Sequence, residues 1–165
     1  MQDKRQINID VFDDTMKQYK SNAVLKAAVS NSIANQKFTG ANEAVDLPQS
    51  KGYSPTVTVS GKRSLEAAVE YAKQGMKTCV LNFASASNPG GGVTHGSSAQ
   101  EEAICRCSTL YPCLNSGDIW GCFYTPHRAA RIRCTMTTVS IHPMYMLLRT
   151  IQVYRSCYPK ANGRR

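Results

Sequence analysis

Seven residues separate Gln100-Glu101-Glu102 from three consecutive glycines, Gly90-Gly91-Gly92, with Asn88-Pro89 just before them. A glycine run lets the backbone adopt conformations closed to other residues and lets a ligand lie against bare amides. Neighbouring carboxylates have a plain structural use, since acids in the first turn of a helix are stabilised by its dipole. Set a short loop away from a backbone-exposing turn, both could also converge on one ligand. Two close carboxylates titrate as a pair, and burial or repulsion raises one of them until it serves as a general acid near neutral pH. Cleaving a glycosidic bond needs such an acid, because the leaving oxygen must be protonated while positive charge develops on the sugar. The glycines are neither a Walker motif, since no Gly-Lys-Ser/Thr follows, nor the spaced glycines of a dinucleotide fingerprint. An anion or a sugar hydroxyl is the ligand such a turn favours.

The elements that would position this loop are legible around it. Pro55 to Val59 is β-branched and predicts a strand, Ser64 to Lys73 a helix with Ser64 as N-cap and Gly75 as its end, and Lys77 to Phe83 a buried strand. Strand, helix and strand make a βαβ unit, which puts the glycine loop at the carboxyl end of the second strand, where open α/β sheets bind ligands. Upstream, apolar Ile9, Phe12, Met16 and Tyr19 predict a helix over 8–20. Asn22 is expected to cap a second helix to about Ile33, buried through Val24, Leu25, Ala28, Val29 and Ile33, and 36–53 reads as a long surface loop with room for a short strand. Downstream, a helix capped by Ser97 or Ser98 is expected to run through Leu110 to a break at Tyr111-Pro112. The stretch 118–127 reads as irregular, with a short strand near Phe123.

Composition narrows the class. With 165 residues, 42% of them hydrophobic, one domain with a sizeable core is expected. No run reaches the length of a membrane span, and Met1 to Gln6 lacks a signal-peptide core, so a cytosolic protein is expected. Seven cysteines, an odd number, then read as thiols rather than a disulfide framework. The spacing of Cys105, Cys107, Cys113 and Cys122 is not a zinc pattern, and positions i and i+2 of a helix do not face each other. The net charge of +9 is unevenly placed: residues 1–127 carry 12 Lys and Arg against 11 Asp and Glu, whereas 128–165 carry 8 basic residues and no acid. The basicity belongs to the tail, which lacks the aromatic interleaving of a nucleic-acid binder.

The stretch Val80-Leu81-Asn82-Phe83-Ala84-Ser85-Ala86-Ser87-Asn88-Pro89-Gly90-Gly91-Gly92, continued by Gln100-Glu101-Glu102 and Ser108-Thr109-Leu110-Tyr111, resembles the bacterial-type (microbial) poly(ADP-ribose) glycohydrolases. The likeness runs from about Ile9 to Arg128 and takes in Thr56 to Tyr71 and Phe123-Tyr124-Thr125-Pro126-His127-Arg128. It implies a macrodomain, a three-layer α/β/α sandwich with an N-terminal helical extension, binding ADP-ribose or poly(ADP-ribose) on modified proteins, as a monomer and without metal or cofactor. It further implies that Glu102 is the catalytic acid/base that protonates the leaving ribose oxygen and that Glu101 holds ribose hydroxyls. The backbone of Gly90, Gly91 and Gly92 with Asn88 would cradle the distal ribose, and Gln100 would join the substrate-binding set. His95 is expected to be a solvated loop residue and His127 a structural one. A binding module that recognises ADP-ribose without turnover is the alternative, against which Gln100-Glu101-Glu102 argues.

The resemblance implies further strands and a second glycine-rich, diphosphate-binding loop after Arg128, and the sequence from 129 to 165 holds one glycine, Gly163. Read one nucleotide earlier, the codons from Arg131 can spell Asp-Pro-Leu-Tyr-Asn-Asp-Asp-Cys-Ile-Tyr-Thr-Pro-Asp-Val, which resembles the family's continuation. Met136-Thr137 is forced to give Asp and Met144-Tyr145 to give Val. The expectation is therefore that residues 1–130 are the N-terminal part of a catalytic macrodomain, apparently truncated, and that 131–165 is an out-of-frame extension. Weak hydrolase activity, or a non-functional product of a disrupted gene, would follow.

Overall fold

Asp3 starts the first helix, α1 (Lys4–Ser21), its carboxylate accepting from the amide of Arg5 at 3.1 Å. The computed structural model describes residues 3–39, 52, 54–130 and 139–141. Asn8, Phe12 and Thr15 form the buried stripe of α1, and the expected Ile9, Met16 and Tyr19 flank it half-buried. Asn22 caps α2 (Ala23–Ala34) as expected, with Oδ1 accepting from the amides of Val24 and Leu25. Of the five apolar positions expected inside, Leu25 and Val29 are buried, whereas Val24 lies in solvent.

Strand β1 (Lys37–Thr39) pairs antiparallel with β2 (Val139–Ile141), Lys37 opposite Ile141. The loop expected over 36–53 thus opens on a short strand; 40–51 and 53 lie outside the described residues, as does the tail beyond 130 apart from β2. Helix α3 (Ser64–Lys73) has the expected bounds, but its N-cap is Arg63 rather than Ser64, with the Glu66 carboxylate turning back to the Arg63 amide at 3.2 Å. Gly75, at φ +79°, follows its end.

Helix α4 (Gln100–Cys107) is the centre of the molecule, with every residue from Glu101 to Cys107 buried. Its N-cap is Ala99, not a serine, and it ends three residues before Leu110, where the chain breaks at Ser108 into α5 (Leu110–Leu114). The core gathers on it: Phe12 from α1, Leu65 from α3, Val93, and Ala103, Ile104, Cys105 and Cys107 of α4, closed by Leu110 and Leu114. Phe12 meets Tyr111 edge to face at 5.0 Å.

Two expectations are corrected. The stretch 118–127 is helical: α6 (Gly117–Ile119) runs into a π-type turn over Trp120–Tyr124 and then α7 (Thr125–Ala130). Its aromatics contact one another along the helical surface, Trp120 with Tyr124 and Phe123 with Tyr124 and His127, which an irregular or extended chain would not bring about. Residues 55–59 and 77–83 join no sheet among the described residues. Val57, Val59, Leu81 and Phe83 are 85%, 94%, 71% and 72% exposed, so the strand-forming composition is present while the neighbours that would turn it into a buried ladder are not found among the described residues.

Candidate active site: a carboxylate on a glycine loop

The chain turns at Gly90 and Gly91, both in the left-handed region at φ +67° and +59°. Space as well as φ demands glycine there. A Cβ on Gly91 would sit 2.5 Å from Glu102 Oε1, and one on Gly90 would sit 2.8 Å from the Tyr111 ring. The loop continues into a 3₁₀ turn, Val93–His95, whose Val93 is driven into the core against α4.

Adjacent residues on a helix point about 100° apart, and α4 uses this to separate the two carboxylates. Glu102 faces the loop and accepts the Gly92 amide at Oε1, 2.9 Å away, while Oε2 has no partner among the described residues. Glu101 turns behind it, 2% exposed, with Oε2 accepting from the Ser85 amide at 2.8 Å and Oε1 from Asn82 Nδ2 at 3.3 Å. Burial pushes the Glu101 carboxyl up to about 7; the Ser85 and Asn82 hydrogen bonds oppose that rise and the charge of Glu102 adds to it. Cys105, one turn on, has its thiol pushed well up by burial and by both carboxylates, which keeps it protonated and inert.

In front of Glu102 lies a cleft of about 540 Å³, lined by Asn88, Gly91 and Gly92 of the loop and by Tyr111, Asn115, Trp120 and Arg128 from the helices opposite. Of the residues singled out in the sequence, Glu102, Asn88, Gly91, Gly92 and His95 therefore share one cleft. Gly90 is buried behind the turn, and Glu101 and Gln100 are not among the lining residues. Gln100 acts as a substitute peptide group: Oε1 accepts the Phe83 amide at 2.8 Å and Nε2 donates to the Leu81 carbonyl at 3.0 Å and to Ser64 Oγ at 2.7 Å. His95 is exposed and bonded to Thr94, and His127 is buried, its ring nitrogen 2.6 Å from the Phe123 carbonyl, both as expected.

Trp120 and Arg128 line the cleft as well, which the motif itself did not reveal. Arg128 Nε donates to the Ser87 carbonyl at 2.7 Å and Nη2 to Asn88 Oδ1 at 2.6 Å, and its guanidinium lies over the Trp120 ring, 4.7 Å from the centroid. The proximity of His127-Arg128 to three aromatics in sequence was the available signal.

A carboxylate pair at the start of a buried helix thus stands beside a glycine turn. The model of the microbial-type poly(ADP-ribose) glycohydrolase catalytic domain matches residues 9–149, so the chain belongs to that family. The match runs beyond Arg128, where the likeness seen in the sequence stopped. In fold the chain is similar to the crystal structure of poly(ADP-ribose) glycohydrolase from Thermomonospora curvata, with a TM-score of 0.75 at 22% identity. The superposition covers 88% of this chain and 57% of that one, so the chain spans little more than half the length of the solved protein. No curated protein matches it.

Proposed function

We propose that the chain carries the acid/base part of an ADP-ribose glycohydrolase centre, acting on the ribose–ribose O-glycosidic bonds of poly(ADP-ribose) within a macrodomain-like α/β/α sandwich. The observation that carries this reading is the Glu102 carboxylate, fixed through one oxygen to the Gly92 amide at the edge of the cleft, with its other oxygen unpartnered among the described residues. A ligand filling the cleft lies against the Glu102 oxygen that has no partner among the described residues. Glu102 then gives its proton to the leaving ribose oxygen as the bond from that oxygen to the anomeric carbon breaks. Water adds to the anomeric carbon and returns a proton to Glu102. Asn88 and the Gly91 and Gly92 backbone line the space for the distal ribose. Glu101 has both oxygens occupied, so the ribose contact implied for it requires Asn82 to give way. Gln100 and Gly90 support the site from behind. The reaction uses no metal or cofactor.

The test is release of ADP-ribose from poly(ADP-ribose) by the purified chain beside Glu102→Gln. Slow release that the substitution abolishes supports the reading, and equal turnover by both removes Glu102 from the mechanism. Calorimetry with ADP-ribose on the same two proteins separates turnover from binding alone.

A second reading, a poorly active product of a disrupted gene, is favoured by the exposure of Val57, Val59, Leu81 and Phe83 and by the acid-free tail. It treats 131–165 as an out-of-frame extension; the family match through residue 149 weighs the other way. Sequencing the coding DNA across codons 125–165 decides between them, since codons incompatible with the shifted peptide exclude the frameshift.

A further inference from the structure

A cation held only by neutral acceptors stands at the cleft. Arg128 spends Nε on a backbone carbonyl and Nη2 on an amide oxygen, and among the described residues it meets no carboxylate; the Lys62–Glu70 ion pair lies elsewhere. Its charge is therefore not neutralised. Nη1 has no partner among the described residues, while the other contacts hold the guanidinium plane in place. Trp120, under that plane, is itself fixed by its indole N–H to Asn115 Oδ1 at 2.9 Å. The chain of contacts runs Asn115, Trp120, Arg128, Asn88, and all four residues line the cleft. Among the lining residues Arg128 is the one permanently charged cation, and it shares the cleft with Glu102. A planar, pre-fixed guanidinium with spare donors matches a phosphate oxygen edge, and cation–π support lowers the cost of holding it. An anionic ligand entering a cleft that already holds a carboxylate needs such a countercharge.

We infer that Arg128, braced on Trp120, is a phosphate-binding residue of this cleft and takes the diphosphate of an ADP-ribosyl ligand where its guanidinium bridges Trp120 and the Asn88 end of the glycine loop. This rests on the reading of the cleft as an ADP-ribose site, and it adds a diphosphate contact that the first 130 residues supply by themselves.

Trp120 is the single tryptophan of the chain and reports on its own surroundings. The full chain is titrated with ADP-ribose, inorganic pyrophosphate and adenosine, following tryptophan emission and, in parallel, equilibrium dialysis, for the wild type, Arg128→Gln and Arg128→Lys. The expected result is binding of ADP-ribose and pyrophosphate that Arg128→Gln weakens about tenfold or more and Arg128→Lys weakens less, with adenosine affinity unchanged. Equal loss for adenosine and ADP-ribose overturns the inference, because Arg128 would then act only by bracing the Asn88 loop. ADP-ribose binding that Arg128→Gln leaves intact overturns it too, while leaving the proposed function standing. Pyrophosphate binding lost in Arg128→Gln, in a chain that ignores ADP-ribose, keeps the anion site and removes the ADP-ribose reading. Absence of any pyrophosphate or ADP-ribose binding overturns both. Far-UV circular dichroism on each variant and the charge-conserving lysine keep the comparison decisive if the glutamine variant is unstable.

Discussion

The amide of Gly92 donates to Glu102 Oε1 at 2.9 Å, and the glycine before it is the residue whose missing side chain leaves room for that oxygen. Loop and carboxylate are thus one unit. Glu102→Gln keeps the shape and is expected to lower ADP-ribose release roughly 100-fold or more, with little change in thermal midpoint. Gly91→Ala adds a Cβ 2.5 Å from the same oxygen at a residue with φ +59°. It is expected to lose activity similarly and also about 1–2 kcal/mol of stability, as read by a melt.

Glu101 makes stability pH-dependent. Its carboxyl is raised from 4.5 to about 7 in the folded chain, so the folded state holds its proton more tightly than the unfolded one. The stabilisation it contributes is full below about pH 4.5, declines as pH rises towards 7 and is gone above that. The difference amounts to about 3 kcal/mol at most. Urea unfolding of the wild type relative to Glu101→Gln, at pH 5 and pH 8, checks the sign: the wild type should lose ground at pH 8.

Gln100 takes the hydrogen bonds a neighbour strand would take at Leu81 and Phe83. Gln100→Leu is expected to cost about 0.5–1.5 kcal/mol and to speed hydrogen exchange at the Phe83 amide, because that donor and the Leu81 carbonyl exchange their partner for water. Gln100→Glu keeps the acceptor for Phe83 and should fall between the two.

Gly96 ties the N-terminal helix to the loop. It sits at φ +74°, its carbonyl accepts Asn8 Nδ2 at 2.8 Å, and an added Cβ would collide with the backbone of Arg5. Gly96→Ala should therefore lower the thermal midpoint by more than the roughly 1–2 kcal/mol of the conformation alone.

Local signals were legible in the sequence. Asn22 caps α2 with its own side chain, and Gly75 stops α3, because both act within a few residues. The glycine turn and Glu102 were legible together because a short spacer must bring them close. The direction that Glu101 and Glu102 each take was not legible in the residues themselves, because it depends on which side of α4 is packed, and distant Phe12 and Leu65 settle that. The 55–59 and 77–83 stretches misled for the opposite reason: β composition describes a residue's preference, whereas a ladder needs a partner strand that no local pattern supplies. Arg128 reaches back 40 residues to Asn88, a contact with no sequence period to announce it.

Val57, Val59, Leu81 and Phe83 also determine how the chain behaves in a tube. Two extended segments with apolar side chains in water and no sheet partner among the described residues are templates for pairing with their counterparts on another molecule. Turbidity should therefore rise with protein concentration before any loss of helical signal, and a charged substitution at Val57 or Leu81 should raise the solubility ceiling without touching the cleft.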